Sequence, residues 1–176
     1  HPDSPAPGTL PPCTNAIRLW TPVDGRWVSH FSLREFANAQ GLCIVHPCLL
    51  ESLERTRADL ARRYGVEVLL VITDATRTEE DNRRLAERLG WSDQGGLVAR
   101  NSRHLARWGG IAVDLKARLR GGAPVPPDTL AEVCRKHFDY VRAGYPDGHV
   151  HADNRYRVAA WQPPELPSRA PENLPA

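Results

Sequence analysis

The stretch His149-Val150-His151-Ala152-Asp153, read with Ser102-Arg103-His104 and Gly110-Ile111-Ala112-Val113-Asp114, decides how the rest of the chain is understood. Two histidines and an aspartate, far apart in sequence, sit on short apolar or turn-flanked segments that a fold can bring together. Imidazole nitrogen and carboxylate oxygen are ligands of catalytic zinc, which takes three protein ligands and leaves one position for water. His104, Asp114 and His151 are the candidates. No two of them lie at i, i+4, so the spacing is not that of a helical zinc motif. Residue type alone also fits a buried, hydrogen-bonded histidine and a turn aspartate.

Working outward, Ile111 to Leu115 reads as a strand. Alternation puts Ile111, Val113 and Leu115 on one face and Ala112 and Asp114 on the other. A small Ala beside a ligand carboxylate leaves room for an ion. Val150 to Asp153 and Tyr140 to Arg142 read as the last strands, joined by Gly144-Tyr145-Pro146-Asp147-Gly148, with His149 and His151 on one face.

Upstream, Pro47 opens a helix that runs to Tyr64 and stops at Gly65, with Leu49, Leu50, Leu53, Leu60 and Ala61 mostly on one face. Val66 to Ile72 is apolar and β-branched, which predicts a central strand buried on both faces. Thr78 then caps a helix from Glu79 to Leu89 that ends at Gly90. Nearer the start, Ala16 to Trp20 predicts an edge strand paired with Trp27-Val28 across an Asp24-Gly25 turn. Ser32-x-x-Glu35 is a capping box that starts a short helix at Leu33. Arg118 to Pro127 reads as a loop, and Asp128-Thr129 as the start of a helix through about His137.

A length of 176 residues, with 41% hydrophobic and 25% charged residues, fits one globular domain with a buried core. The Pro-rich ends, 1–15 and 163–176, read as tails around a domain over 16–162. The net charge of +2 decides little, and basic runs such as Arg83-Arg84 are short and not interleaved with aromatics. That argues against a nucleic-acid partner. No window approaches the ~18 to 20 apolar residues of a membrane span. The chain has no Met, which predicts a processed product or a piece of something longer, either a monomer or part of a longer chain.

The segments Ser102-x-His104, Gly110-x-Ala112-x-Asp114 and Val150-His151-x-Asp153 together resemble the zinc D-Ala-D-Ala carboxypeptidases and murein endopeptidases. That family shares its core with the hedgehog signalling domain, and its motif reads S-x-H-x-x-G-x-A-x-D followed by V-H-x-D. Phe31-Ser32-Leu33-Arg34-Glu35-Phe36, Thr76-Arg77-Thr78-x-x-x-Asn82, Arg155 and Trp161 look like further landmarks, so the likeness runs from Phe31 to Trp161. Three extra residues separate His104 from Gly110, and no Glu lies between Glu132 and His151, where many relatives carry their base.

The resemblance implies an α+β fold in which a small antiparallel sheet carries a zinc site and packs against helices. It implies Zn2+ held by His104, Asp114 and His151, and a hydrolase acting on peptidoglycan stem peptides or crosslinks as carboxypeptidase or endopeptidase. Arg77 then holds a substrate carboxylate, with Asn82 and Ser102 beside it in the binding loop. Asp153 orients His151 or a neighbouring strand. The general base falls to Asp147-Gly148-His149, with Asp147, the nearest carboxylate, set ahead of His149. Such a substrate lies outside the cytoplasm, which implies a secreted, periplasmic or cell-envelope protein. There Cys13, Cys43, Cys48 and Cys134, which lack metal-type spacing, would form two disulfides. Two other readings stay open: a non-catalytic zinc-containing binding or signalling module, and a structural part of an envelope or phage assembly.

Overall fold

The computed structural model describes residues 17–168. Two strands, β1 (Arg18–Val23) and β2 (Arg26–Ser32), form a hairpin. Asp24 and Gly25 join them with positive φ at both positions, 49° and 77°, the backbone that a two-residue turn between right-twisted strands needs. Ala16, expected at the head of β1, lies outside the described residues. A 3-10 turn, Leu33–Phe36, follows, its start held by Glu35 Oε2 accepting from the Ser32 amide at 2.6 Å.

The remaining elements are α1 (Pro47–Tyr64), β3 (Val68–Asp74), α2 (Glu79–Leu89), β4 (Ala112–Leu119), α3 (Pro127–Cys134), β5 (Tyr140–Arg142) and β6 (Val150–Asp153). β3 to β6 form an antiparallel sheet in the order β3-β4-β6-β5. The fold is α+β, a small antiparallel sheet packed with three helices. Both helices with clear sequence punctuation fall on their expected bounds. Pro47 opens α1, where its missing N–H costs nothing, and Gly65 closes it at φ 69°. Thr78 Oγ1 accepts from the Asp81 amide at 3.0 Å, and Asp81 answers by accepting from Thr78 at 2.9 Å.

α1 and α3 cover one face of the sheet. Leu49, Leu53 and Leu60 of α1 and Leu130 and Val133 of α3 meet Val68, Leu70, Val113, Leu115, Val150 and Ala152 there, all buried. Each fully buried Leu contributes about 2 kcal/mol relative to exposure. The alternation read into Ile111–Leu115 holds: Val113, Leu115 and Ala117 face this core, while Asp114, Lys116 and Arg118 face away. β4 runs four residues past Leu115, so its end enters the stretch expected as loop. α3 stops at Cys134 rather than near His137, because Lys136 and His137 turn with i→i−3 bonds to Val133 and Cys134.

Two expectations are corrected. β3 is not central: it is an edge strand with one free side, and Leu69 and Val71 stand 44% and 39% exposed on the face away from the helices. An unbroken apolar run looks alike in either position, because what covers its second face is set by distant elements. Cys43, Cys48 and Cys134 are free thiols, so no disulfide forms among the described residues, and Cys13 lies outside them. Burial pushes the Cys48 thiol up to about 11 and the Cys134 thiol up to about 12, which keeps both protonated. Among the described residues no helix is long and apolar enough to cross a membrane.

Candidate metal centre

The open face of the sheet carries a row of polar residues in register. Asp74 on β3 pairs with Asp114 on β4, Asp114 with His151 on β6, and His151 with Arg142 on β5. His104 joins them from a loop. Its backbone is tied to the strand-end segment, with the Arg77 amide donating to His104 O at 3.0 Å and the Ala106 amide to Arg77 O at 2.8 Å. The chain between His104 and Gly110 makes a single 3-10 turn, Ala106–Trp108. Gly110 then passes so close to the segment before α1 that an added Cβ would lie 2.3 Å from the Ile44 carbonyl oxygen. His104 thereby reaches the sheet, beside Asp114.

Three ligand-type atoms converge. His104 Nε2 lies 3.0 Å from Asp114 Oδ1, His151 Nδ1 lies 3.1 Å from the same oxygen, and the two nitrogens are 3.2 Å apart. Both histidine side chains are nearly buried and that of Asp114 is 14% exposed. The outer ring nitrogens fix the protons. His104 Nδ1 is 2.8 Å from the Ala75 carbonyl, which can only accept, so Nδ1 carries the hydrogen. His151 Nε2 likewise donates to Asp153 Oδ2 at 2.7 Å. In their neutral forms both imidazoles thus turn lone pairs, not protons, towards a carboxylate.

With both rings neutral, three acceptors lie within 3.2 Å and repel one another unless a metal ion or a proton stands among them. A tetrahedral ion with bonds of about 2.0–2.1 Å separates its ligand atoms by about 3.3–3.4 Å, close to the spacing found. Burial would raise Asp114, but the charge and hydrogen bond of His104 and the bonds of His151 outweigh it and hold the carboxyl well below the usual range. Burial would lower His151, yet its bonds to Asp114 and Asp153 hold it above the ordinary histidine value. The buried His104, Asp114 and His151 form a group that could hold a metal ion.

Asp153 supports the group. Burial favours its neutral form, but the Arg155 fork (2.9 and 2.8 Å) and His151 hold it ionised, with a pKa of about 2. A ligand imidazole donating its second N–H to a carboxylate is the usual arrangement around protein-bound metals. Arg155 also lies over the Tyr140 ring at 3.8 Å. Trp161 stands elsewhere, edge-on to His46 beside the start of α1.

The group opens on a cleft of about 620 Å³. One wall is apolar, built from Leu85, Leu89, Leu97 and Val98, and the other carries Arg142, Tyr145, Asp147 and His149. His149 stands between Asp147 and the ligand group, with Nδ1 2.5 Å from Asp147 Oδ1 and Nε2 3.6 Å from Asp114 Oδ2. Asp147 is more than half exposed and one residue further out. The Tyr145 ring stacks on His149 with 4.0 Å between centroids.

The structure also brings Arg77, Asn82 and Ser102 together. Arg77 Nη1 donates to Asn82 Oδ1 at 2.9 Å and to Ser102 Oγ at 3.3 Å, and Nη2 pairs with Asp74. Asn82 Nδ2 in turn donates to the Ala99 carbonyl at 3.0 Å, which fastens the rim loop to α2. Sequence reasoning missed Asp74 as partner of Arg77, though a carboxylate three residues before an Arg was a readable signal. It also missed Tyr145 and Arg142, whose nearness to the histidine pair was the only hint.

Searches of protein-family profiles, curated proteins and solved structures find no match to this chain.

Proposed function

We propose that this protein is a zinc-dependent peptidase acting on peptidoglycan stem peptides or crosslinks, outside the cytoplasm. The observation that carries the reading is the convergence of three lone pairs from His104, Asp114 and His151, with both outer ring protons already committed. Two imidazoles and one carboxylate suit zinc, and three protein ligands leave a position open. The chemistry that zinc supplies in such a setting is activation of water near neutral pH and polarisation of a carbonyl. The peptidoglycan assignment rests on the motif resemblance.

His149 is the general base in this reading. Asp147 accepts a hydrogen bond from its Nδ1–H and so leaves Nε2, the nitrogen facing the ligand group, free to accept a proton. Asp147 orients that ring and keeps its tautomer. Arg77 has three of its donor contacts committed to Asp74, Asn82 and Ser102, so it acts as a fixed positive charge on the cleft wall. The apolar wall of Leu85, Leu89, Leu97 and Val98 suits an aliphatic side chain of the peptide.

A second reading, a zinc-containing binding module without turnover, is favoured by one observation: the cleft holds no Glu among its lining residues. One experiment separates the two. The purified protein is assayed for zinc, and the products it releases from cell-wall sacculi are identified with and without a chelator. The peptidase reading expects about one zinc per chain and chelator-sensitive release of muropeptides. Zinc without products supports the binding module, and absence of zinc sinks both.

A further inference from the structure

We infer that Arg142 receives the terminal carboxylate of the ligand in this cleft. Four observations support it. Arg142 lines the cleft and is exposed. It is in register with His151 on the neighbouring strand, which sets it about 4.8 Å beyond that ligand along the row. Its guanidinium lies 5.2 Å from the Tyr145 ring centre, and Tyr145 stacks on His149, so one continuous stack fixes Arg142 relative to the proposed base. No carboxylate pairs with Arg142 among the described residues, whereas Arg77 is held by Asp74 and Arg155 by Asp153. The two ends of the row therefore differ: the cation near Asp74 already has its donors committed, and the cation beyond His151 is free to meet an anion.

An Arg stacked on a Tyr keeps its fork planar and pre-set, and a planar fork matches a carboxylate with two parallel bonds. Arg103 is the other cleft cation with no acidic partner among the described residues. It lies off the row, over the Trp108 ring at 4.3 Å, and donates to the Asn101 carbonyl. The inference rests on the peptidase reading, because it places the substrate's charged end relative to the metal ligands. It gives the cleft a direction: carboxylate at β5, aliphatic groups against α2.

The test compares acetyl-D-Ala-D-Ala with its C-terminal amide on the zinc-loaded protein, by calorimetric dissociation constants with turnover followed in parallel. The wild type is expected to bind the acid at least about tenfold tighter than the amide, the worth of one charge-assisted contact. Arg142→Gln weakens the acid by roughly ten- to a hundredfold and leaves the amide within about twofold, and Arg142→Lys keeps part of the preference. Arg103→Gln keeps it all. Survival of the preference in Arg142→Gln, its loss in Arg103→Gln alone, or its absence from the wild type overturns the inference. Turnover with the preference intact in Arg142→Gln leaves the peptidase reading standing and removes this one. A preference that depends on Arg142 without turnover does the opposite.

Discussion

Two histidine–acid clusters, each built around a carboxylate with little exposure, behave in opposite ways. Glu54 on α1 is 2% exposed and ties the hairpin to the helix. His30 Nδ1 lies 2.8 Å from its Oε1, the His30 amide donates to Oε2 at 3.0 Å, and Arg57 Nε reaches Oε1 at 3.4 Å. Every oxygen there meets a hydrogen. At His104, Asp114 and His151, with both rings neutral, the hydrogens point outward, to Ala75 and Asp153, and the lone pairs point inward. The first cluster is complete as it stands, and the second could hold a metal ion. A histidine beside a carboxylate therefore says little until its protons are placed.

The strongest way to break this contrast is to remove one inward lone pair. His104→Ala, Asp114→Ala or His151→Ala is expected to take bound zinc from about one per chain to near zero and to abolish hydrolysis, read by metal analysis and product release. Full zinc in His104→Ala would remove that residue from the ligand set.

The next effect separates metal from proton transfer. His149→Gln should keep its zinc and lose roughly 10² to 10⁴ in kcat, the usual worth of a general base, while Asp147→Asn loses about tenfold. The reverse order would make Asp147 the base.

Glu54→Gln tests the other side. It should leave zinc content unchanged and cost about 2–3 kcal/mol of unfolding free energy in a denaturant titration, because a buried charge-assisted contact is lost. Zinc loss in this variant would mean that the two clusters are not independent.

The smallest expected effect is at Asp139, which accepts from the Tyr156 and Arg157 amides at 2.9 and 2.7 Å and from Arg157 Nε at 2.9 Å. Burial would raise its carboxyl, but these bonds outweigh it and lower the folded pKa below 3.8. A carboxyl lowered on folding contributes stability above about pH 4 and loses it as pH falls. Asp139→Asn should therefore cost about 1 kcal/mol near neutral pH and progressively less as pH falls through the folded pKa, followed by thermal melts across that range.

Much of this was legible in the chain. Pro47, Gly65, Thr78 and Gly90 act on their own backbone, so α1 and α2 could be bounded locally. The period-two pattern of β4 put Asp114 on the face away from the core, and His104, Asp114 and His151 converge as their types and motif spacing suggested. What stayed hidden depends on partners remote in sequence. The exposure of Leu69 and Val71 follows from which strands flank β3 and which face the helices leave open. Asn154, fully buried and donating to the Cys48 carbonyl and Ser52 Oγ at 3.0 and 2.9 Å, pins the end of β6 to α1, and nothing beside it in the chain announces that task.

The register of the central strands has one more consequence. Asp114 faces His151 across a single rung of the β4–β6 ladder, with Val113 opposite Ala152 on the next. A slip of one residue would turn Asp114 into the hydrocarbon interior and offer Val113 to the cleft. Metal uptake, where the group takes an ion, would then proof-read assembly: a chain that has mispaired these strands lacks the pocket, and a metal column would sort aligned molecules from misaligned ones.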